Sequence, residues 1–147
     1  LITFNYKDFK LYNIEQARIR GIEGHIEYLA NDWNIYLNAT LQNPKNTTSK
    51  QMLLRRPKKT VSLGLRRSFG SLDFNMNILL SDSRMDFGGV RLDDYVLCNI
   101  TVQYHLNERW LIRATINNVT DETYMLANNY NTAQRQGYLG FVYRPTP

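Results

Sequence analysis

Only two histidines occur in the chain, His25 and His105. Glu23 and Glu27 lie two residues to either side of His25, a spacing that puts all three side chains on one face of an extended strand. A histidine beside a carboxylate or serine can serve general acid–base or nucleophilic chemistry. No paired spacing joins either histidine to a second catalytic group, so Glu23 and Glu27 read as contacts within a lumen rather than an acid–base pair. Two distant histidines make no metal site. The single Cys98 forms no CxxC or Cys/His cluster and no internal disulfide, and reads as a small apolar side chain. The sequence therefore points to no enzyme, no catalytic residue, no metal and no cofactor. The densest charge cluster is Arg55, Arg56, Lys58 and Lys59; such runs can mark nucleic-acid binding, but this one sits at a loop-to-strand junction. Four Asn-x-Ser/Thr matches, at Asn38, Asn46, Asn99 and Asn118, read as by-products of an Asn- and Thr-rich strand face, since two fall inside strands.

The elements that must position these residues are β-strands. The 147 residues carry a net charge of +5 and a mean hydropathy of −0.46, a length that fits one domain. The longest runs of apolar residues, Tyr95 to Cys98 and Tyr124 to Ala127, fall far short of the ~20 that a membrane helix needs. A transmembrane β-barrel has this hydropathy, because lipid-facing residues alternate with polar ones. The chain begins at Leu1 without a secretory signal pattern, which suggests a mature form, a fragment or a truncated form.

Period-2 alternation runs throughout. Trp33, Ile35, Leu37, Ala39 and Leu41 alternate with Asn34, Tyr36, Asn38, Thr40 and Gln42. Leu72, Phe74, Met76, Ile78 and Leu80 alternate with Asp73, Asn75 and Asn77, and 61–66, 95–106, 110–117, 138–143 and 22–28 repeat the pattern. With 1–6 as the end of another strand, about eight strands are expected. Asn31-Asp32, Phe69-Gly70-Ser71 and Asn107-Glu108 are tight turns. Segments 7–16, 43–57, 82–94 and 118–136 are long polar connections. Short turns at one end and long loops at the other are the plan of an outer-membrane barrel, and strands near 10 residues match a bilayer crossing. Trp33 and Trp110 follow short turns, where an interfacial aromatic girdle belongs.

Alternation alone does not say which face is inside. A soluble barrel would put the apolar face inward. Here the polar face is rich in Asn, Thr, Gln and Ser rather than the Lys and Glu of a solvated sheet. That favours the inverted arrangement, with polar side chains around a wet lumen. The fold class expected is all-β, an antiparallel up-and-down transmembrane β-barrel.

Several segments resemble the C-terminal half of TonB-dependent outer-membrane receptors. Ala17-Arg18-Ile19-Arg20-Gly21-Ile22-Glu23-Gly24 resembles a strand opening of that family, and Leu53-Leu54-Arg55-Arg56-Pro57-Lys58-Lys59-Thr60 its re-entry from an outer loop. Ile116-Asn117-Asn118-Val119-Thr120-Asp121-Glu122-Thr123-Tyr124 is similar to its Asn-Leu-Phe-Asp-x-x-Tyr stretch, with Val119 and Thr120 where Leu and Phe are usual. Asn131-Thr132-Ala133-Gln134-Arg135 resembles the Gly-Arg element before its last strand, with Gln134 in place of Gly, and 138–143 resembles that strand. The run is most similar to the vitamin B12 receptor branch.

The resemblance implies a barrel of about 22 strands around a plug. This chain would supply roughly the last eight as one C-terminal barrel portion, without the plug domain or energy-coupling box. It implies import of a cobalamin or ferric siderophore through the outer membrane of a bacterial cell, driven through TonB, with no nucleic-acid partner. Ligand-contact candidates on the outer loops are Tyr12, Arg84, Asp86, Tyr124, Tyr130 and Arg135. Arg55, Arg56, Lys58 and Lys59 are candidates for lipopolysaccharide phosphates. Family members end on an aromatic residue read by the assembly machinery; this chain ends Arg144-Pro145-Thr146-Pro147, so Phe141 and Tyr143 are the candidates for that signal. Two alternatives stay open: a complete eight-stranded adhesion or structural barrel, and a soluble β-barrel binder.

Overall fold

The computed structural model describes the backbone of residues 2–5, 9–13 and 16–145, and the side chains of 9, 10 and 16–145. The strands are β1 (Ile2–Asn5), β2 (Lys10–Asn13), β3 (Ala17–Ala30), β4 (Trp33–Asn46), β5 (Lys59–Phe69), β6 (Leu72–Ser81), β7 (Arg84–Met85), β8 (Arg91–Leu92), β9 (Tyr95–His105), β10 (Trp110–Asn117) and β11 (Gln136–Tyr143). Seven of them form one sheet in the order β11-β10-β9-β6-β5-β4-β3. Every pairing in it is antiparallel. The topology is up-and-down, interrupted only by the small β7–β8 hairpin inside the β6–β9 connection.

The short turns explain why neighbouring segments pair. Asn31 and Asp32 both take positive φ, 49° and 65°. That is the two-residue type I′ geometry whose twist matches flanking strands, and Asn and Asp tolerate it. Gly70 supplies the positive φ, 60°, in the β5–β6 turn. In the β9–β10 turn the Asn107 side chain accepts the N–H groups of Arg109 and Trp110 at 2.9 and 3.0 Å.

Register carries the alternation across the sheet. One row runs Tyr28, Ile35, Leu65, Met76, Ile100, Ile116 and Gly137 from edge to edge. The next row on the opposite face runs Leu29, Asn34, Arg66, Asn75, Thr101, Thr115 and Tyr138. The apolar face covers no core: Ile22 is 75% exposed, Ile26 67% and Phe141 66%. Of the buried apolar residues, Leu53 and Leu92 lie at the loop end outside this sheet, and Tyr95 and Leu111 lie on its opposite, polar face. A contiguous apolar face of this width needs a membrane or another protein against it.

One expectation changes. Residues 1–6 were expected to add a strand to the wall, giving about eight. Instead Ile2–Asn5 pairs with Lys10–Asn13 in a separate hairpin, so the sheet has seven strands among the described residues. The stretch around Leu11 and Tyr12 is short and set among polar residues, which hides its strand from pattern reading. The sheet is open, with β3 and β11 at its edges, which agrees with the expectation of part of a larger barrel. The described strands therefore do not close on themselves, as a complete small barrel or a soluble barrel would require.

Candidate functional site

Three connections, 47–58, 82–94 and 118–135, leave the same end of the sheet and meet at one carboxylate. Asp86 is 1% exposed. It accepts Nε of Arg55 at 2.7 Å and, more weakly, Nη2 of Arg55 at 3.4 Å. It also accepts the Phe87 N–H at 2.8 Å and the Asn128 N–H. One side chain thus joins the first loop to the second and the second to the third. The Arg55 N–H donates to the Met85 carbonyl at 2.7 Å, and the Arg55 guanidinium lies 5.1 Å from the Phe87 ring centre. Burial alone would raise the Asp86 pKa and is the largest influence on it. The donors Arg55, Asn128 and Phe87, with the Arg55 charge, together outweigh it and hold Asp86 below the usual carboxylate range.

A second tie runs through Arg84, 6% exposed. Its guanidinium donates to the Met125 carbonyl and lies 5.1 Å from the Tyr95 ring centre. Tyr95 in turn packs on Tyr124 with ring centres 4.7 Å apart. The third loop is launched by Asn118, buried and left-handed at φ 52°. Its amide group donates to the Glu122 carbonyl and accepts the Glu122 N–H, both at 2.9 Å, while its N–H donates to Asn99 Oδ1 at 2.8 Å. Asp121 then accepts the Arg135 N–H at 2.8 Å. The Asn118–Asp121 stretch is therefore a structural corner.

Two of the clefts that flank this hub include cations in their lining. One, about 390 Å³, is lined by Arg56, Lys58, Arg84 and Arg91, with Asp82 as its one acid. Four cations against one carboxylate suit a ligand bearing anionic oxygens. The other, about 720 Å³, is lined by Arg55, Asp86, Phe87, Asn128, Asn129 and Tyr130.

The structure brings some sequence candidates together and separates others. Arg84 and Asp86 lie inside the hub, engaged with protein atoms. Tyr124 is half-buried against Tyr95, Tyr130 is 71% exposed on the second cleft, and Arg135 is exposed farther along the third loop. The Tyr12 side chain lies outside the described residues. The basic run splits: Arg55 joins Asp86, Arg56 and Lys58 line the first cleft, and Lys59 starts β5 opposite Leu41 on the apolar face. At the short-turn end, Trp33 meets Phe69 edge-on at 6.4 Å, and Arg67 lies 4.7 and 4.4 Å from those two ring centres. Trp110 packs on Tyr143 at 4.8 Å. Phe141 shares that face, opposite Ile112.

His105 bonds Asp73 at 2.8 Å, and Ser68 donates to the same carboxylate at 2.6 Å. The carboxylate sits between the hydroxyl and the imidazole, so the histidine has no contact through which to take the serine proton, and the trio lacks the order nucleophilic catalysis needs. His25 bonds Asn38 at 2.7 Å. Sequence reasoning missed the hub, because its partners lie 31 and 42 residues apart. It also missed Arg67, whose signal was a lone cation in an otherwise apolar row.

The model of a family described as TonB dependent receptor-like, beta-barrel matches residues 1–119. The vitamin B12 transporter BtuB of Vibrio cholerae serotype O1 is 26% identical over 149 residues, covering 97% of this chain and 24% of that protein. Among solved structures, the copper transporter OprC aligns with a TM-score of 0.80 at 16% identity, over 97% of this chain and 25% of that one. The siderophore receptor PiuA from Acinetobacter baumannii aligns with a TM-score of 0.74 at 19% identity, over 86% of this chain and 22% of that one. The chain thus spans about a quarter of the length of the relatives it matches, and the open sheet has the fold of part of a larger barrel.

Proposed function

Because this chain belongs to the TonB-dependent receptor β-barrel family, outer-membrane proteins that act as transport receptors and not as enzymes, we propose that it forms the C-terminal part of the barrel wall and outer loops of a nutrient importer. A plug and an energy-coupling segment that engages TonB would come from N-terminal sequence. The wall does no bond chemistry. It seals against lipid, encloses the plug and presents the loops. An unpaired strand edge in lipid would leave backbone groups unsatisfied, so β3 and β11 would pair with further strands of the same barrel.

The observation that carries this reading is the convergence of three outer loops on Asp86 beside a cationic cleft. Preorganised loops lower the ordering entropy of capture. Arg56, Lys58 and Arg91 would meet anionic oxygens of the nutrient. Cobalamin, with its phosphodiester, and ferric siderophores, with catecholate or carboxylate oxygens, both fit that chemistry. Tyr124, Tyr130 and Arg135 would add contacts along the third loop, and Tyr12 from the first hairpin.

The test is tryptophan-fluorescence binding to the intact receptor carrying this chain, with cyanocobalamin and a ferric tris-catecholate as probes. Saturable binding of one, weakened about tenfold or more by R56Q/R91Q, supports the reading. Absence of binding and of energy-dependent uptake for both overturns it.

A further inference from the structure

We infer that the loop-end rim of the apolar face is a binding surface for the phosphate groups of an anionic outer-leaflet lipid, centred on Arg18, Arg20, Lys45 and Lys50. This rests on the outer-membrane reading above, but uses a different surface from the cationic cleft beside Asp86.

The pairing register locates it. On β3 and β4 the outward row pairs are Tyr28 with Ile35, Ile26 with Leu37, Gly24 with Ala39 and Ile22 with Leu41. The next outward pairs, toward the loops, are Arg20 with Asn43 and Arg18 with Lys45. The face that is apolar along its lower length therefore turns basic without changing direction. The switch comes at the height where lipid chains should end. A crossing strand needs about 9–11 residues, and β3 and β4 have 14 each. Arg20 stands about 10 residues above Ala30, roughly 33 Å along the strand.

Arg18 directly opposite Lys45 is a like-charge cross-strand pair, which weakens a hairpin unless an anion bridges it. Arg18, Arg20, Lys45 and Lys50 with Asn43 and Thr47 line a cleft of about 240 Å³. All four cations are exposed, and none has an ion-pair partner among the described residues. From Arg18 across to Lys59 on β5, the described register places no carboxylate on this rim. Phosphates held beside acyl chains match that geometry: the chains lie on Ile22, Ile26, Leu37 and Leu41, and the charged headgroup reaches the cations above them. Lys59, opposite Leu41, extends the patch along β5.

The experiment uses the intact receptor in detergent with bisphosphorylated lipid A, and with the same lipid dephosphorylated, retained lipid being counted by native mass spectrometry. Wild type should retain the bisphosphorylated form about tenfold better. R18Q/R20Q/K45Q/K50Q should lose that preference, whereas R66Q/R113Q, changed on the polar face, should keep it. If the fourfold variant fails to fold, R18Q and K45Q singly should each weaken retention severalfold. Equal retention by wild type and the rim variants, or no preference for phosphate in wild type, overturns the inference while leaving nutrient uptake untouched. A receptor that does not partition into membranes at all would instead overturn the outer-membrane reading.

Discussion

Replacing Asp86 by asparagine should loosen the outer loops and leave the wall intact. Asp86 satisfies donors from Arg55, Phe87 and Asn128 with two oxygens. Asparagine keeps one oxygen and turns an NH2 toward at least one of those donors. A buried N–H that loses its acceptor costs about 1–3 kcal/mol. The lost charge on the Arg55 pair adds less, about 0–1 kcal/mol, because Arg55 is 43% exposed and water screens it. Together these give about 1–4 kcal/mol, felt as local opening. At a factor of ten per ~1.4 kcal/mol, amide exchange at 84–91 and 124–131 should speed up by roughly 5- to 700-fold. The assay is hydrogen exchange with mass spectrometry on the intact receptor, comparing those peptides with β5, β6 and β9. Unchanged exchange in both loops would refute the hub, as would equal acceleration in the wall strands. Acid should act in the same direction. The Asp86 pKa is lowered in the fold, so its contribution is complete above the unfolded value of about 3.9 and is lost as pH falls through the folded one.

Four further outcomes follow from particular residues. G64V should destabilise by about 1–3 kcal/mol, because a β-carbon at Gly64 would overlap the Tyr36 ring on which Arg66 stacks; urea titration of heat-modifiable mobility measures it. N118A should cost about 2–3 kcal/mol by leaving the Glu122 N–H and carbonyl unpartnered in a left-handed corner, seen as faster exchange at 118–124. L37R, on the outward face, should cost about 2–4 kcal/mol if it sits near the bilayer midplane, whereas N38R on the polar face should cost far less; folding yield into vesicles separates them. Trp33 and Trp110 should be quenched most by lipids brominated near the headgroup, and quenching deepest at the bilayer centre would contradict a girdle role.

The wall was legible because strand periodicity is local. Trp33 to Leu41 and Leu72 to Leu80 declare their faces residue by residue, and Asn31-Asp32 declares its turn. The Asn118–Asp121 corner was legible only as a family resemblance. Its hydrogen bonds now give the physical reason for an Asn there, since the left-handed backbone and the double bond to Glu122 both suit that side chain. The hub was not legible. Nothing near Asp86 in sequence distinguishes it from Asp82 or Asp94, because its partners come from loops folded back from far along the chain. The basic run divides for a related reason: Arg56, Lys58 and Lys59 are neighbours in sequence, yet two line a cleft and one lies on the apolar face. The rim at Arg18 and Lys45 appears only once strand register is known.

The central claim is that the apolar face meets lipid and the Asn-rich face meets water. Spin labels at single cysteines along β6, in a receptor with Cys98 replaced, test it most directly. At positions 74, 76 and 78 the account predicts collisions with lipid-soluble oxygen, and at 75 and 77 collisions with a water-soluble nickel chelate. Labels at 74, 76 and 78 that meet the chelate as readily as those at 75 and 77 would contradict it.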